Sequence, residues 1–463
     1  MTKASLSWRA HAAALLGLGV PIVGSYLAGF FIHVTDTVML GWYGVNDLAA
    51  IVLAGTLWFL TFILGSGFGT ALPAVVANAR AQGDEAQVRR ATRMAIWLTL
   101  GYGVLISPLF LFAEPLLLAI GQKPEVAALA ADYLHIAGWS VVPFLLNNVL
   151  RSYLSALGQP SAVLVVTLVG FVVHVLINWV LIFGHWGAPE LGIRGAAIST
   201  LISDTLILVL LLIYATRKFP QYDLLARFWR PDPQVMARIF ALGWPISLQM
   251  VAEVGLFSAA SVMMGWISAE SLAAHGIALQ LTSTTFMLHL GLSNAATIRA
   301  GQAAGLHDGR LLRDGALTAV ALSALIAAVT IAVFLSIPGQ LIGLFLDPAD
   351  PAAPQVIAVG VGLVTMAALF QLADAGQAMA IGLLRGVQDT KVPMVIAAVG
   401  YWVIGLPVAY LLGFPAGWGG IGVWTGLLVG LSVVWLALAW RFWMGQARQV
   451  GEGTQGRPGP TAV

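Results

Sequence analysis

Residues 238–266 read RIFALGWPISLQMVAEVGLFSAASVMMGW, and residues 14–42, at an offset of 224, read ALLGLGVPIVGSYLAGFFIHVTDTVMLGW. Leu18-Gly19-Val20-Pro21 falls on Leu242-Gly243-Trp244-Pro245, and Val38-Met39-Leu40-Gly41-Trp42 on Val262-Met263-Met264-Gly265-Trp266. Leu48-Ala49-Ala50 continues the register on Leu272-Ala273-Ala274. Three matches at one offset mark an internal repeat. Both copies exceed the ~20 apolar residues that carry a helix across a hydrocarbon core ~30 Å thick. Each also holds one acid in its interior, Asp36 in the first and Glu253 in the second.

The rest of the chain has the same character. Hydrophobic residues make up 59% and charged residues 9%, with a mean hydropathy of +0.90, whereas a soluble domain carries about 25% charged residues. Apolar windows bounded by polar, Gly or Pro clusters predict an all-α polytopic membrane protein of about twelve spans. They lie near 11–40, 48–78, 92–113, 127–150, 161–184 and 192–215, then 238–266, 271–299, 315–338, 355–384, 392–412 and 418–441. Six spans return the chain to its starting side. The two halves are therefore expected to be parallel pseudo-symmetric lobes with a cavity at their interface, the machinery of alternating access. The repeat weakens later, where Ile193-Arg194-Gly195 meets Gly420-Ile421-Gly422 only after a shift.

This reading divides the chain into an N-terminal six-helix lobe at 1–220, a polar cytoplasmic linker at 221–236, a C-terminal six-helix lobe at 237–445 and a Gly- and Pro-rich disordered tail at 446–463. Lys3 and Arg9 before the apolar run from Ala12 to Ile32 resemble a secretory signal. Recurrence of the pattern near Gly243 identifies it instead as a retained first helix. Of the 22 Lys and Arg residues, all but Lys123 and Arg194 fall at the termini or on the even-numbered connections. That bias places both termini in the cytoplasm of a cell inner membrane. The absence of Cys excludes disulfides, thiolate zinc sites and iron–sulfur clusters.

Four carboxylates fall inside spans: Asp36 in the first, Asp204 in the sixth, Glu253 in the seventh and Asp374 in the tenth. Each costs about 2.5–3.5 kcal/mol near the bilayer centre, so such residues face an interior and mark function. No Lys or Arg is expected at their depth. An acid without a basic partner can alternate between holding a proton and binding a cation, and oxygen ligands suit a hard ion such as Na+. Asn178, Ser199, Thr200 and Gln377 are the polar neighbours that would complete a shell. For Asp204 a packing role is an equal reading. Lone His33 and His174 on apolar helices are more often satisfied core residues. Pro21, Pro73, Pro108, Pro143, Pro245 and Pro407 interrupt apolar stretches and can kink them. Trp42, Trp58, Trp179 and Trp402 can stack on cationic drugs or mark the lipid interface.

Asp36-Thr37-Val38-Met39, Glu253, and the run from Asp374-Ala375-Gly376-Gln377 to Leu384-Arg385-Gly386 with Asp389 and Pro393 resemble the multidrug and toxic compound extrusion (MATE) family, in its NorM-type branch. The resemblance covers residues 10–445. It implies a V-shaped pair of six-helix lobes and efflux of hydrophobic, often cationic, drugs and dyes in exchange for H+ or Na+. It also implies cation coupling at Asp36, Glu253 and Asp374, with Asn178 as the polar partner of Asp36 and Na+ at Glu253 and Asp374. Where Na+-coupled members commonly show Tyr, this sequence has Phe370, and the missing hydroxyl leaves H+ coupling open. No cofactor other than the coupling ion is expected, no nucleic acid is a partner, and a monomer in the bilayer suffices. A flippase for lipid-linked precursors would need cationic residues facing a pyrophosphate. An enzyme is not supported: there is no His-Glu-x-x-His helix and no phosphate-cradling Gly-x-x-x-x-Gly-Lys loop, and Gly65-Ser66-Gly67 lacks the context of a serine nucleophile.

Overall fold

The computed structural model describes residues 7–347 and 351–452, and the backbone there is helical with no strand. Twelve long helices follow one another: α1 (Trp8–Tyr43), α2 (Val45–Ala81), α3 (Glu85–Leu111), α4 (Pro124–Ala156), α5 (Pro160–Phe183), α6 (Ile193–Lys218), α7 (Pro233–Ile267), α8 (Ala269–Gly305), α9 (Gly309–Ser336), α10 (Ala353–Gly386), α11 (Lys391–Gly413) and α12 (Gly419–Arg441). Eleven are long and apolar enough to cross a membrane. The exception, α8, is 37 residues long, but Ser271, His275, Thr282, His289, Ser293 and Thr297 face inward along it. Its length is that of a span, and its polarity is spent inside the protein.

Two compact units form. One is Gly24–Ser247, and the other combines Met1–Val23 with Leu248–Val463. The chain thus passes between units inside α1 and α7, two residues after Pro21 and Pro245, at positions 224 residues apart. The linker expected at 221–236 lies within the first of these units rather than at the boundary. It is ordered against α3. The Arg93 guanidinium donates to the Asp223 and Leu224 carbonyls, Trp97 Nε1 donates to the Phe228 carbonyl at 2.9 Å, and Arg90 pairs with Asp232. Helix also runs past the tail boundary expected at 446, from α12 through a π-helical turn, Phe442–Gln446, into Ala447–Glu452. The remainder of that tail lies outside the described residues.

Each unit has its own core. In the first, alanines at helical spacing on α4 (Ala127, Ala130, Ala131, Ala137) let helices approach Leu40, Trp58 and Ile182. In the second, Leu256, Met264, Val364, Phe370, Trp424 and Leu427 are buried together, and Leu15 of α1 joins them. Ser66, from the Gly-Ser-Gly run, is buried inside α2 and donates to the Ile63 carbonyl at 2.9 Å, so no strand-to-helix turn presents it. Trp42 is exposed on the outer surface, while Trp58 is buried and donates to the Ala137 carbonyl at 3.2 Å.

Candidate cation sites in the two units

Asp36 sits on α1 and is 2% exposed. Facing it are His174 and Asn178, one turn apart on α5, and Thr200 on α6. α5 and α6 run close because Gly195 has no side chain: a Cβ there would lie 2.6 Å from the Leu181 carbonyl oxygen. Short side chains on α6 then reach across. Asn178 Nδ2 donates to Asp36 Oδ1 at 2.6 Å, His174 Nε2 meets the same oxygen at 2.9 Å, and the Thr200 hydroxyl donates to Oδ2 at 3.3 Å. The Ser199 hydroxyl lies 3.3 Å from His174 Nδ1 and 3.1 Å from the His174 carbonyl oxygen. Contacts of this charged kind contribute ~1.5–3 kcal/mol each. The carboxylate is thereby surrounded by donors.

Asp204 follows Thr200 by one turn and is likewise buried. Its main-chain carbonyl accepts from Asn147 Nδ2 at 3.0 Å, and its Oδ2 has no hydrogen-bond partner among the described residues. Asp204 interacts electrostatically with His174, Asp36 and Arg151. Arg151 places its guanidinium 5.6 Å from the centroid of the Tyr26 ring. The expectation that no basic residue reaches the acids therefore fails for Asp204. Arg151 is rooted near the end of α4, but its long side chain extends inward.

In the other unit Glu253 on α7 accepts from Gln377 Nε2 on α10 at 3.0 Å. Asp374, one turn before Gln377, is buried, with Glu253 as its charged neighbour. The backbones of α8 and α10 touch at Gly382, where a Cβ would lie 2.3 Å from Ser293 Oγ. Ser293 and Thr297 fasten the pair by donating to the Ala378 and Gly382 carbonyls at 2.6 and 2.8 Å. This close packing of small residues is a common device between membrane helices. Arg385 reaches back toward Glu253 and donates to Gln249 Oε1 at 3.4 Å, a second basic side chain nearer the acids than its helix-end position suggests.

Two further residues bring polar groups here that the sequence reading did not single out for this site. Tyr401 lies on a π-helical turn of α11, Val399–Gly405, within electrostatic reach of Glu253 and Asp374. Its buried hydroxyl lies beside the Gln377 amide, but neither it nor Gln377 Oε1 closes a hydrogen bond of normal geometry among the described residues. π-helical turns are frequent at functional sites, and this one in an apolar span is the signal that sequence could not give. Gln249, one turn before Glu253, is the other. Phe370 packs edge-on against Phe257 and Trp424, with ring centroids at 6.0 and 5.8 Å, so its position is apolar. Trp402 donates to the Ala252 carbonyl at 3.1 Å, beside Glu253. Among the described residues no three His, Cys, Asp or Glu side chains cluster as a metal set. Two carboxylates, the Gln377 amide oxygen and the Tyr401 hydroxyl bring oxygen atoms together here.

Comparison with known proteins agrees with this layout. Residues 21–180 and 245–411 match the model of the MatE family. A protein of Rhizobium meliloti (strain 1021) called "Probable multidrug resistance protein NorM" is 46% identical over 444 residues, covering 96% of this chain and 95% of that one. Its namesake in Agrobacterium fabrum is 44% identical, with 94% of each chain covered. The fold also matches a solved structure described as an outward-facing conformation of a multidrug resistance MATE family transporter of the MOP superfamily, with a TM-score of 0.86, 19% identity, and 96% and 97% of the two chains covered.

Proposed function

The chain belongs to the MatE family, and on that premise we propose that it is a multidrug efflux transporter that exports hydrophobic or cationic drugs and dyes in antiport with H+ or Na+. It works in the cell inner membrane with both termini in the cytoplasm, and a monomer suffices. The observation that carries this reading is the burial of Asp36 and Asp374 inside separate compact units of a multi-pass membrane protein, with Glu253 beside Asp374. Acids in such places repel anions and attract cations, whether as cargo or as coupling ion.

The exchange follows from competition for these charges. A cation arriving from outside neutralises Glu253 and Asp374, the cationic drug leaves, and the neutralised unit relaxes toward the cytoplasm. One charge crossing ~100 mV supplies about 2.3 kcal/mol. When the drug itself carries one positive charge and exchanges for one cation, that voltage contribution cancels, and the ion gradient or a second ion drives export. A flippase for lipid-linked pyrophosphates is the second reading. Arg151 and Arg385 are the basic residues nearest the acids, but each lies beside a carboxylate rather than in a cationic cluster.

The test is ethidium efflux from proteoliposomes under an imposed pH gradient or an imposed Na+ gradient, comparing wild type with Asp374→Asn. Efflux driven by one gradient and lost in the variant supports antiport and names its ion. Absence of gradient-dependent efflux under both conditions would turn the reading toward the flippase.

A further inference from the structure

We propose that residues 219–232, between α6 and α7, form a binding site for anionic phospholipid headgroups, with Trp229 at the hydrocarbon boundary and Arg227 and Arg230 on the phosphates. The site is independent of which ion or cargo the protein moves. Depth carries the argument. Arg93 is the last charged residue of α3, which continues from Met94 to Leu111 with none. The segment meets Arg93 first, where the guanidinium holds the Asp223 and Leu224 carbonyls. It then follows α3 inward. Phe228 stacks on Trp97 with ring centroids 5.4 Å apart, and its carbonyl accepts from Trp97 Nε1 at 2.9 Å. The segment returns at Asp232, whose N–H reaches Met94 Sδ at 3.1 Å and whose carboxylate pairs with Arg90. Four residues of helix separate Arg93 from Trp97, about 6 Å along the axis. The tip of the segment thus lies one turn inside the apolar run of α3, at the depth where a span enters the lipid.

What the tip presents suits that depth. Tyr222 and Leu224 are buried, whereas Trp229 is 73% and Leu225 50% exposed. An indole, with an apolar body and one N–H, sits well between acyl chains and headgroups. Arg227 and Arg230 flank Trp229 and are exposed, as are Arg217 and Lys218 at the end of α6. Of the two acids in this stretch, Asp232 is paired with Arg90 and Asp223 lies beside Arg93, so the outward charge is positive. A guanidinium fork matches the oxygens of a phosphodiester, and a basic cluster next to a span attracts an anionic leaflet. The backbone is fixed for this display. Arg227 has φ 53°, in the left-handed region that a residue with a side chain seldom adopts, and its carbonyl accepts from the Arg230 N–H at 3.0 Å. Such strain persists only where surrounding contacts impose it, here the clasps to α3. A free anion in solution has no use for a tryptophan one turn inside an apolar run.

The chain has no cysteine, so Leu225→Cys carries a single nitroxide label in the full-length protein. The labelled protein is placed in nanodiscs of phosphatidylcholine, alone or mixed with phosphatidylglycerol. Relaxation of the label by lipid-soluble oxygen is compared with relaxation by a water-soluble nickel chelate. With phosphatidylglycerol present, oxygen is expected to dominate, and added salt should shrink the difference between the two lipid mixtures. In detergent, titration with phosphatidylglycerol should shift the label's spectrum. Arg227→Gln combined with Arg230→Gln should raise the half-saturating concentration roughly tenfold or more. Ala226→Cys, at a neighbouring exposed position, repeats the measurement where Leu225→Cys disturbs the segment. High nickel access that is the same in both lipid mixtures overturns the proposal, as does an unchanged titration in the double variant. Inorganic phosphate producing the same shift as phosphatidylglycerol would overturn it too, by assigning the arginines to a free anion.

Discussion

The acids of the two units meet opposite surroundings. Asp36 is held by the side-chain donors of His174, Asn178 and Thr200, whereas Glu253 accepts from the Gln377 amide, with Asp374 buried beside it and the Gln377 and Tyr401 oxygens nearby. Donors around a carboxylate favour its charged form, whereas oxygens gathered around carboxylates favour an added cation. The internal repeat duplicated the helices, but offset by 224 residues Asp36 falls on Ala260 and Glu253 on Gly29. The two copies thus carry their acids at different positions along matching helices.

The largest effect should come from neutralising the acceptor pocket. Asp374→Asn and Glu253→Gln are each expected to lower gradient-driven efflux by roughly tenfold or more, since every charge-assisted contact to the cation is worth ~1.5–3 kcal/mol. Drug resistance of cells expressing each variant, normalised to protein in the membrane, reads the loss. Full resistance in both would remove the second unit from coupling and break the comparison.

A second substitution tests the donor pocket. Thr200→Val keeps the shape and removes the hydroxyl that lies 3.3 Å from Asp36 Oδ2 and 3.0 Å from the Ala196 carbonyl oxygen. A loss of about 1–3 kcal/mol of stabilisation of the charged carboxylate is expected, read as a several-fold fall in efflux driven by a pH gradient. Equal falls under pH and Na+ gradients would show that the pocket does not discriminate.

How far the sequence disclosed these pockets depends on what kind of signal each residue sends. A carboxylate in an apolar run is conspicuous, so Asp36, Asp204, Glu253 and Asp374 could be named without a fold; eleven of the twelve long helices are apolar enough to show by hydropathy, and α8 shows by its length. Tyr401 and His174 send no such signal, because a single tyrosine or imidazole in a span is usually packing. Only the fold brings Tyr401 near Glu253 and His174 to Asp36. Arg151 and Arg385 were misjudged for a geometric reason: a span boundary locates a Cα, and a long side chain reaches well beyond it. The unit boundaries inside α1 and α7 were illegible because the apolar run continues across them without a break.

Tyr401→Phe sharpens the contrast more gently. The buried hydroxyl closes no hydrogen bond of normal geometry among the described residues, so its removal should hardly change thermal stability. As an oxygen near the acceptor pocket, it should weaken Na+-stimulated efflux by a few-fold, about 1 kcal/mol, and leave pH-driven efflux near wild type. Phe370→Tyr is the companion, adding a hydroxyl one turn before Asp374. An unchanged Na+ response in Tyr401→Phe would leave the hydroxyl as packing alone.

The smallest effect belongs to the linker, which asks whether the difference between the pockets is local to them. The Asp232 carboxyl lies below the usual carboxylate range. Burial opposes this, but hydrogen bonds from the Val235 N–H and from Arg90 outweigh it, together with the Arg90 charge. A carboxyl lowered in the folded state contributes stability above its unfolded value of about 3.9, and loses it as pH falls through the folded value. The Arg90–Asp232 clasp is therefore intact at neutral pH and loosens only in strong acid. Asp232→Asn should make the segment 219–232 more susceptible to protease at pH 7, while leaving the pH and Na+ dependence of efflux as in wild type. A shift in either ion response would mean that the clasp on α3 tunes a pocket at a distance, and that the pockets do not differ by their own residues alone.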